Sequence, residues 1–206
     1  MIDDILQALA GQIAGDGRFI LVLAGPNGAG KSTFYDLHVR PLGLPFVNAD
    51  LIAGELDTPD GEARARAAAT LADEERRQLV ARGEAFCMET VFSDPVGAKL
   101  DFLREAQRQG YEIILVFIGL ESPALSLARV VQRVGQGGHD VPEARLAARY
   151  PRTLANLAAA VAVVDIALLL DNSDVDVPFR FVALYERGRR RKKARRVPPW
   201  ARKIVG

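Results

Sequence analysis

Residues 21–34 read LVLAGPNGAGKSTF. An apolar run of strand length, FILVLA over 19–24, enters a glycine-rich turn, and Lys31, Ser32 and Thr33 follow at once. This juxtaposition constrains the fold more than any other feature of the chain. Apolar residues without alternation are what a strand buried on both faces requires, and such strands belong to parallel sheets covered by helices. Gly25, Pro26, Asn27, Gly28, Ala29, Gly30, Lys31 and Ser32 make a full GxxxxGK[ST] match. The glycines let backbone N–H groups converge on an anion without interference from Cβ atoms. The helix starting within the turn aims its positive end at the same spot. Lys31 is placed to reach β- and γ-phosphates, and the Ser32 hydroxyl to ligate Mg²⁺. Residues 25–33 are therefore expected to bind a nucleoside triphosphate.

Strand and helix patterns alternate through the rest of the chain. Helices are expected over 2–14, from the glycine turn to about His38, and over 61–82, 95–109, 123–134 and 142–161. Strands are expected over 45–48, 84–90, 111–120, 163–170 and 178–185. There is no tandem repeat, and no linker interrupts residues 1–186. The pattern predicts one α/β domain, a three-layer sandwich whose mainly parallel sheet has helices on both faces, with an antiparallel edge formed by the last two strands.

Several kinds of nucleotide-binding protein are disfavoured. No NKxD segment is present for guanine recognition, no LSGGQ-like segment for an ABC ATPase, and the strand IILVFIGLES ends in Gly-Leu-Glu rather than in a buried Asp. A small-molecule kinase fits better. Asp50, in VNADLIA, and Glu89 and Thr90, in CMETVFSD, each follow or end a strand. The carboxyl ends of parallel strands face the ligand crevice. A carboxylate there can accept the proton of an acceptor hydroxyl or order the water around Mg²⁺. For Asp50 the competing role is the N-cap of the helix that follows. Arg129, Arg133, Arg145, Arg149 and Arg152 flank the loop GQGGHDVP, a candidate lid over residues 129–152. Arg133 and Arg149 are the preferred pair to offset charge on a transferring phosphoryl group. His139 reads as a lid hydrogen-bonder.

The set GPNGAGKST, NADLIA, ETVFSD, RVVQRVGQGGHDVPEARLAARYPRTLANL and DNS, spanning roughly residues 19–173, resembles the zeta-toxin family of P-loop kinases, in its small chromosomal branch. The resemblance implies a P-loop NTPase fold and an ATP- and Mg²⁺-dependent kinase of the cytoplasm. It implies a small-molecule acceptor of the UDP-N-acetylglucosamine kind and a small antitoxin partner. By motif position Lys31 and Ser32 match the P-loop residues, Asp50 the proposed catalytic Asp, and Glu89 and Thr90 the substrate-contacting strand end. Arg133 falls in the region of the lid arginine. The chain departs from the larger toxins in lacking an arginine shortly after Asp50.

Composition bears on the partners. No apolar run approaches the roughly 20 residues a membrane helix needs, and the single cysteine, Cys87, cannot form an internal disulfide. Residues 187–206 hold ten of the 27 Lys and Arg and none of the 26 Asp and Glu, so an acidic body precedes a basic tail. The tail reads as a solvated end, with nucleic acid as an alternative ligand. A nucleotide or nucleic-acid kinase, and a non-enzymatic ATP switch within a toxin–antitoxin pair, are the alternative functions.

Overall fold

The computed structural model describes residues 17–58, 61–134 and 143–206, the side chains of 133, 134 and 143–145 excepted. The helix expected over 2–14 and the lid loop with His139 lie outside the described residues. Strand β1 (Phe19–Ala24) is buried along its whole length. It lies between β3 (Phe86–Thr90) and β4 (Glu112–Gly119), parallel to both. The short β2 (Phe46–Val47) adds parallel to β3, and β5 (Ile166–Asp171) adds parallel to β4. Beyond β5, β6 (Arg180–Glu186) and β7 (Arg189–Lys193) run antiparallel. The sheet order is β2-β3-β1-β4-β5-β6-β7.

Two apolar layers flank this sheet because its central strands carry apolar residues at odd and even positions alike. Ile20, Val22, Met88, Leu115 and Phe117 belong to one layer. It is closed by α3 (Gly61–Arg82), α4 (Ala98–Arg108) and α6 (Glu143–Val161) through Leu79, Leu103 and Leu157. Leu21, Leu23, Cys87, Val116 and Ile118 belong to the other. That layer is closed by Phe34 of α1 (Lys31–Phe34) and Val39 of the π-helical turn that continues it, Tyr35–Val39. The helix α2 (Ala49–Glu55) follows β2 directly, and α5 (Pro123–Val134) follows β4.

The basic segment is not a separate tail. Residues 189–193 form the outer strand, and Pro199–Ala201 followed by α7 (Arg202–Val205) folds back over the sheet. Trp200 supplies the apolar anchor; it is 6% exposed, and a Cβ on Gly119 would lie 2.3 Å from its ring. Several basic side chains already have partners. Lys193 Nζ donates to the Gly206 carbonyl at 2.8 Å, and Arg190 donates to the Val205 carbonyl at the C-terminal end of α7, where cations offset the helix dipole. Arg191 pairs with Glu186 at 2.7 Å, and Lys192 lies over the Phe181 ring. The boundary expected after residue 186 therefore falls inside the folded domain. Pattern reading missed β7 because a run of five basic residues has no apolar face. On an outermost strand it needs none, and charge there discourages pairing with other chains.

Candidate active site

The P-loop emerges from the carboxyl end of β1 at the centre of the sheet. Gly25 has φ 149°, and a Cβ there would sit 2.2 Å from the Ile118 carbonyl oxygen. Gly30 has φ 86°, with the Asn172 amide 2.6 Å from where its Cβ would be. Any other residue at either position would displace the loop. The loop is also held from outside. Asn172 Nδ2 donates to the Ala29 carbonyl at 2.9 Å, and Ser126 Oγ donates to the Asn27 carbonyl at 2.7 Å. The end of β5, through Asn172, and the first turn of α5, through Ser126, thus hold the cradle from two sides.

Lys31 is 6% exposed and curls back over its own loop, donating to the carbonyls of Gly25 (3.0 Å) and Pro26 (3.2 Å). Its Nζ lies 3.6 Å from Glu89 Oε1. Glu89 and Thr90 end β3 on opposite faces, because side chains alternate along a strand. Glu89 shares the P-loop face. Thr90 turns to the other, where its Oγ1 accepts the Phe92 N–H at 3.0 Å. Asp50 stands in the first turn of α2, exposed, and it is not the cap. Asn48 is, accepting the Asp50 N–H at 2.8 Å.

These groups surround one cavity of about 180 Å³, lined by residues 27–33, Asp50, Glu89, Val91 and Arg129. The structure thus brings together the P-loop, Lys31, Ser32, Thr33, Asp50 and Glu89. Thr90 is not among the described lining residues, and neither is Arg149, which is half-buried on α6. The side chain of Arg133 lies outside the described residues. Arg129, less favoured from the sequence, lines the cavity and donates to the Ser173 carbonyl at 3.4 Å. Gly28 explains its closeness: a Cβ there would meet the Arg129 Cβ at 3.0 Å, so α5 packs directly on the loop.

The cavity suits a polyphosphate with Mg²⁺. It presents N–H groups of a first helical turn that lack intrahelical acceptors, a lysine, an arginine and an exposed serine hydroxyl. Asn27 Oδ1 is buried with no hydrogen-bond partner in the described structure. Among the described residues no cluster of three or more His, Cys, Asp or Glu could hold a metal alone.

Sequence reasoning missed the residues that support this site. Tyr150, Thr153 and Asn156 of the RYPRTLANL stretch fasten α6 to the loops after β3 and β4. Tyr150 donates to the Leu120 carbonyl (2.6 Å), Thr153 to the Val91 carbonyl (2.9 Å), and Asn156 to the carbonyls of Phe92 and Asp94 (both 3.0 Å). Thr153 and Asn156 brace Phe92, whose φ of 59° is uncommon for a residue with a side chain, at the exit from Glu89. Burial pushes the Tyr150 hydroxyl up to about 12, helped by the charges of Asp171 and Glu121. Burial also pushes the Cys87 thiol up, with the Glu89 charge adding to it. Spacing of three along one helix was the available signal for Tyr150, Thr153 and Asn156.

A mostly parallel sheet with the glycine loop after its central strand and helices on both sides is a P-loop NTPase fold, here of the kinase-like kind. Residues 20–152, more than half of the chain, match the AAA domain family AAA_33, and the chain belongs to that family. Solved structures share the fold. The complex AvrRxo1-ORF1:-ORF2 with ATP superposes with a TM-score of 0.61 at 18% identity, covering 87% of this chain and 61% of that one. A structure of the PezAT chromosomal toxin–antitoxin system of Streptococcus pneumoniae has a TM-score of 0.56 at 17% identity, covering 80% of this chain and 76% of that one. A candidate kinase from Chloroflexus aurantiacus has a TM-score of 0.50 at 18% identity, covering 63% and 74%. The zeta-toxin-like fold expected from the motifs is therefore the one found. No curated protein matches the chain in sequence. Among the described residues no helix is long and apolar enough to cross a membrane.

Proposed function

We propose that this chain is an ATP-dependent kinase that transfers the terminal phosphoryl group of ATP to a hydroxyl of a small metabolite in the cytoplasm. The observation that carries the reading is that Lys31, Ser32, Asp50, Glu89 and Arg129 line one cavity at the carboxyl ends of β1 and β3. Residues 25–33 hold the phosphates, those after Pro26 gripping them through backbone N–H groups, and Lys31 exchanges its own loop carbonyls for phosphate oxygens. Ser32 would hold Mg²⁺ together with those oxygens, and the ion would neutralise charge on the β- and γ-phosphates. Asp50 accepts the proton of the acceptor hydroxyl as the new P–O bond forms. Glu89 orients the acceptor and the ammonium group of Lys31. Arg129, with Arg133 and Arg149 as lid arginines, offsets charge on the equatorial oxygens. Thr90 contributes through the turn at Phe92 rather than by touching the acceptor.

The resemblance to zeta toxins favours an acceptor of the UDP-N-acetylglucosamine class and a small antitoxin that covers the crevice. The PezAT and AvrRxo1 structures, each described as a two-component system or complex, support the second point. A nucleic-acid kinase drew its support from a free basic tail. Arg190, Arg191, Lys192 and Lys193 already have intramolecular partners, which weakens that support.

The test is mass spectrometry of a metabolite extract incubated with the protein and ATP·Mg²⁺. A new species heavier by one phosphate identifies the acceptor. Lys31→Ala should abolish ATP binding. Asp50→Ala should keep binding and lose transfer by about 10²–10⁴-fold. Full transfer by purified Asp50→Ala would end the assignment of Asp50 as base.

A further inference from the structure

Two hydrogen bonds leave the carboxamide of Asn48 in different directions. Its Oδ1 accepts the backbone N–H of Asp50 at 2.8 Å, closing the first turn of α2. Its Nδ2 donates to Glu89 Oε2 at 3.0 Å, joining β3 to that turn. The other oxygen of Glu89 faces Lys31 Nζ at 3.6 Å. Asn48 is 8% exposed. Its O and N are assigned by chemistry: a backbone N–H only donates and a carboxylate only accepts, so one end must accept and the other donate. Aspartate would keep the cap but set a second carboxylate against Glu89. Serine would keep the cap but is too short to span to Glu89 as well.

We infer that Asn48 is the positioning residue of the active centre. One neutral amide fixes the helix turn that carries Asp50 and also sets which way Glu89 presents its free oxygen to Lys31. This inference rests on the kinase reading above, and it assigns a role to a residue that is not among those lining the cavity. Neither of its hydrogen bonds reaches the backbone of residues 25–33, so loosening them leaves the loop that cradles phosphate in place and misplaces the acids. Misplacement of reacting groups by about 1 Å costs on the order of 10²-fold in rate.

The experiment compares the full-length chain with Asn48→Ser, Asn48→Asp and Asn48→Asp combined with Glu89→Gln. Three quantities are read: melting temperature, affinity for ATP·Mg²⁺ by calorimetry, and the rate of phosphate transfer from γ-labelled ATP into a metabolite extract. Serine and aspartate cap as well as asparagine, so N48S should bind ATP as the parent does while transfer falls about 10- to 100-fold. N48D should melt lower than N48S, and adding E89Q should restore the melting temperature, because the amide and the carboxylate then simply exchange places. Transfer by N48S at the parental rate overturns the inference. So does parallel loss of ATP affinity in N48S, which would mark a purely structural role, or an N48D chain that does not respond to E89Q. A parental chain that transfers no phosphate removes the kinase reading and the positioning role together, and is distinguished by failing before any variant is made.

Discussion

Replacing Trp200 by Phe tests whether the basic C-terminal segment belongs to the P-loop domain. The Trp200 indole N–H donates to Asp171 Oδ1 at 2.9 Å, and Asp171 is 1% exposed at the carboxyl end of β5. Phenylalanine keeps a ring against Phe117, whose centroid lies 5.5 Å away, but removes the donor. A hydrogen bond to a buried charge contributes about 1.5–3 kcal/mol. Asp171 keeps two other donors, Ser173 Oγ at 2.7 Å and Arg180 at 2.8 Å, so the loss belongs near the lower end of that range. In a domain of this size about 2 kcal/mol lowers Tm by roughly 4–8 °C. Trp200→Ala also opens a cavity and should cost about 3–5 kcal/mol, a large share of the roughly 5–15 kcal/mol that stabilises a domain. Thermal melts followed by far-ultraviolet circular dichroism read both variants. Trp200→Phe melting within about 1 °C of the parent would refute the argument, since a lost charged hydrogen bond should shift Tm by several degrees.

Asn172→Ala removes both the donor to the Ala29 carbonyl and the acceptor of the Phe179 N–H (3.2 Å). It should destabilise the domain by about 1–3 kcal/mol and weaken ATP·Mg²⁺ binding measured by calorimetry. Cys87 is fully buried with its thiol pushed up, so a thiol reagent at pH 8 should modify it only after denaturation. Tyr150 is held protonated, with a folded value of about 12 against an ordinary 10.0. The folded state therefore keeps a proton that the unfolded chain releases, so this contribution is complete below pH 10 and is lost as pH rises toward 12. Stability measured by urea denaturation should show that alkaline loss, and Tyr150→Phe should flatten it.

Much of this fold was legible because its signals are local. β1 and the glycine loop are contiguous, and a phosphate cradle needs consecutive backbone N–H groups, so its chemistry is written within residues 25–33. The long helix over 61–82 and the strand at 112–119 were equally plain, because each carries one uninterrupted pattern. Thr90 was read together with Glu89 because the two are adjacent. Adjacency in a strand means opposite faces, and which face holds the P-loop is settled only when α1 packs. The role of N-cap fell to Asn48 rather than Asp50 for a similar reason: β2 is two residues long and its end could not be placed by pattern.

Arg129 and the basic segment show the limit most clearly. Five arginines flank the candidate lid and the sequence favours Arg133 and Arg149, whereas the contact of α5 with Gly28 brings Arg129 to the cavity. Residues 187–206 look like a solvated tail by charge. Residues 189–193 join the sheet, and the stretch after them folds back through Trp200 onto the space above Gly119, 81 residues earlier in the chain. From order alone the chain determines a glycine-rich loop of the kind that cradles phosphates, because that loop is built from neighbours. Which acid, which arginine and which end of the chain surround it is decided by strand order and packing, because those groups meet only through contacts that no spacing along the sequence encodes.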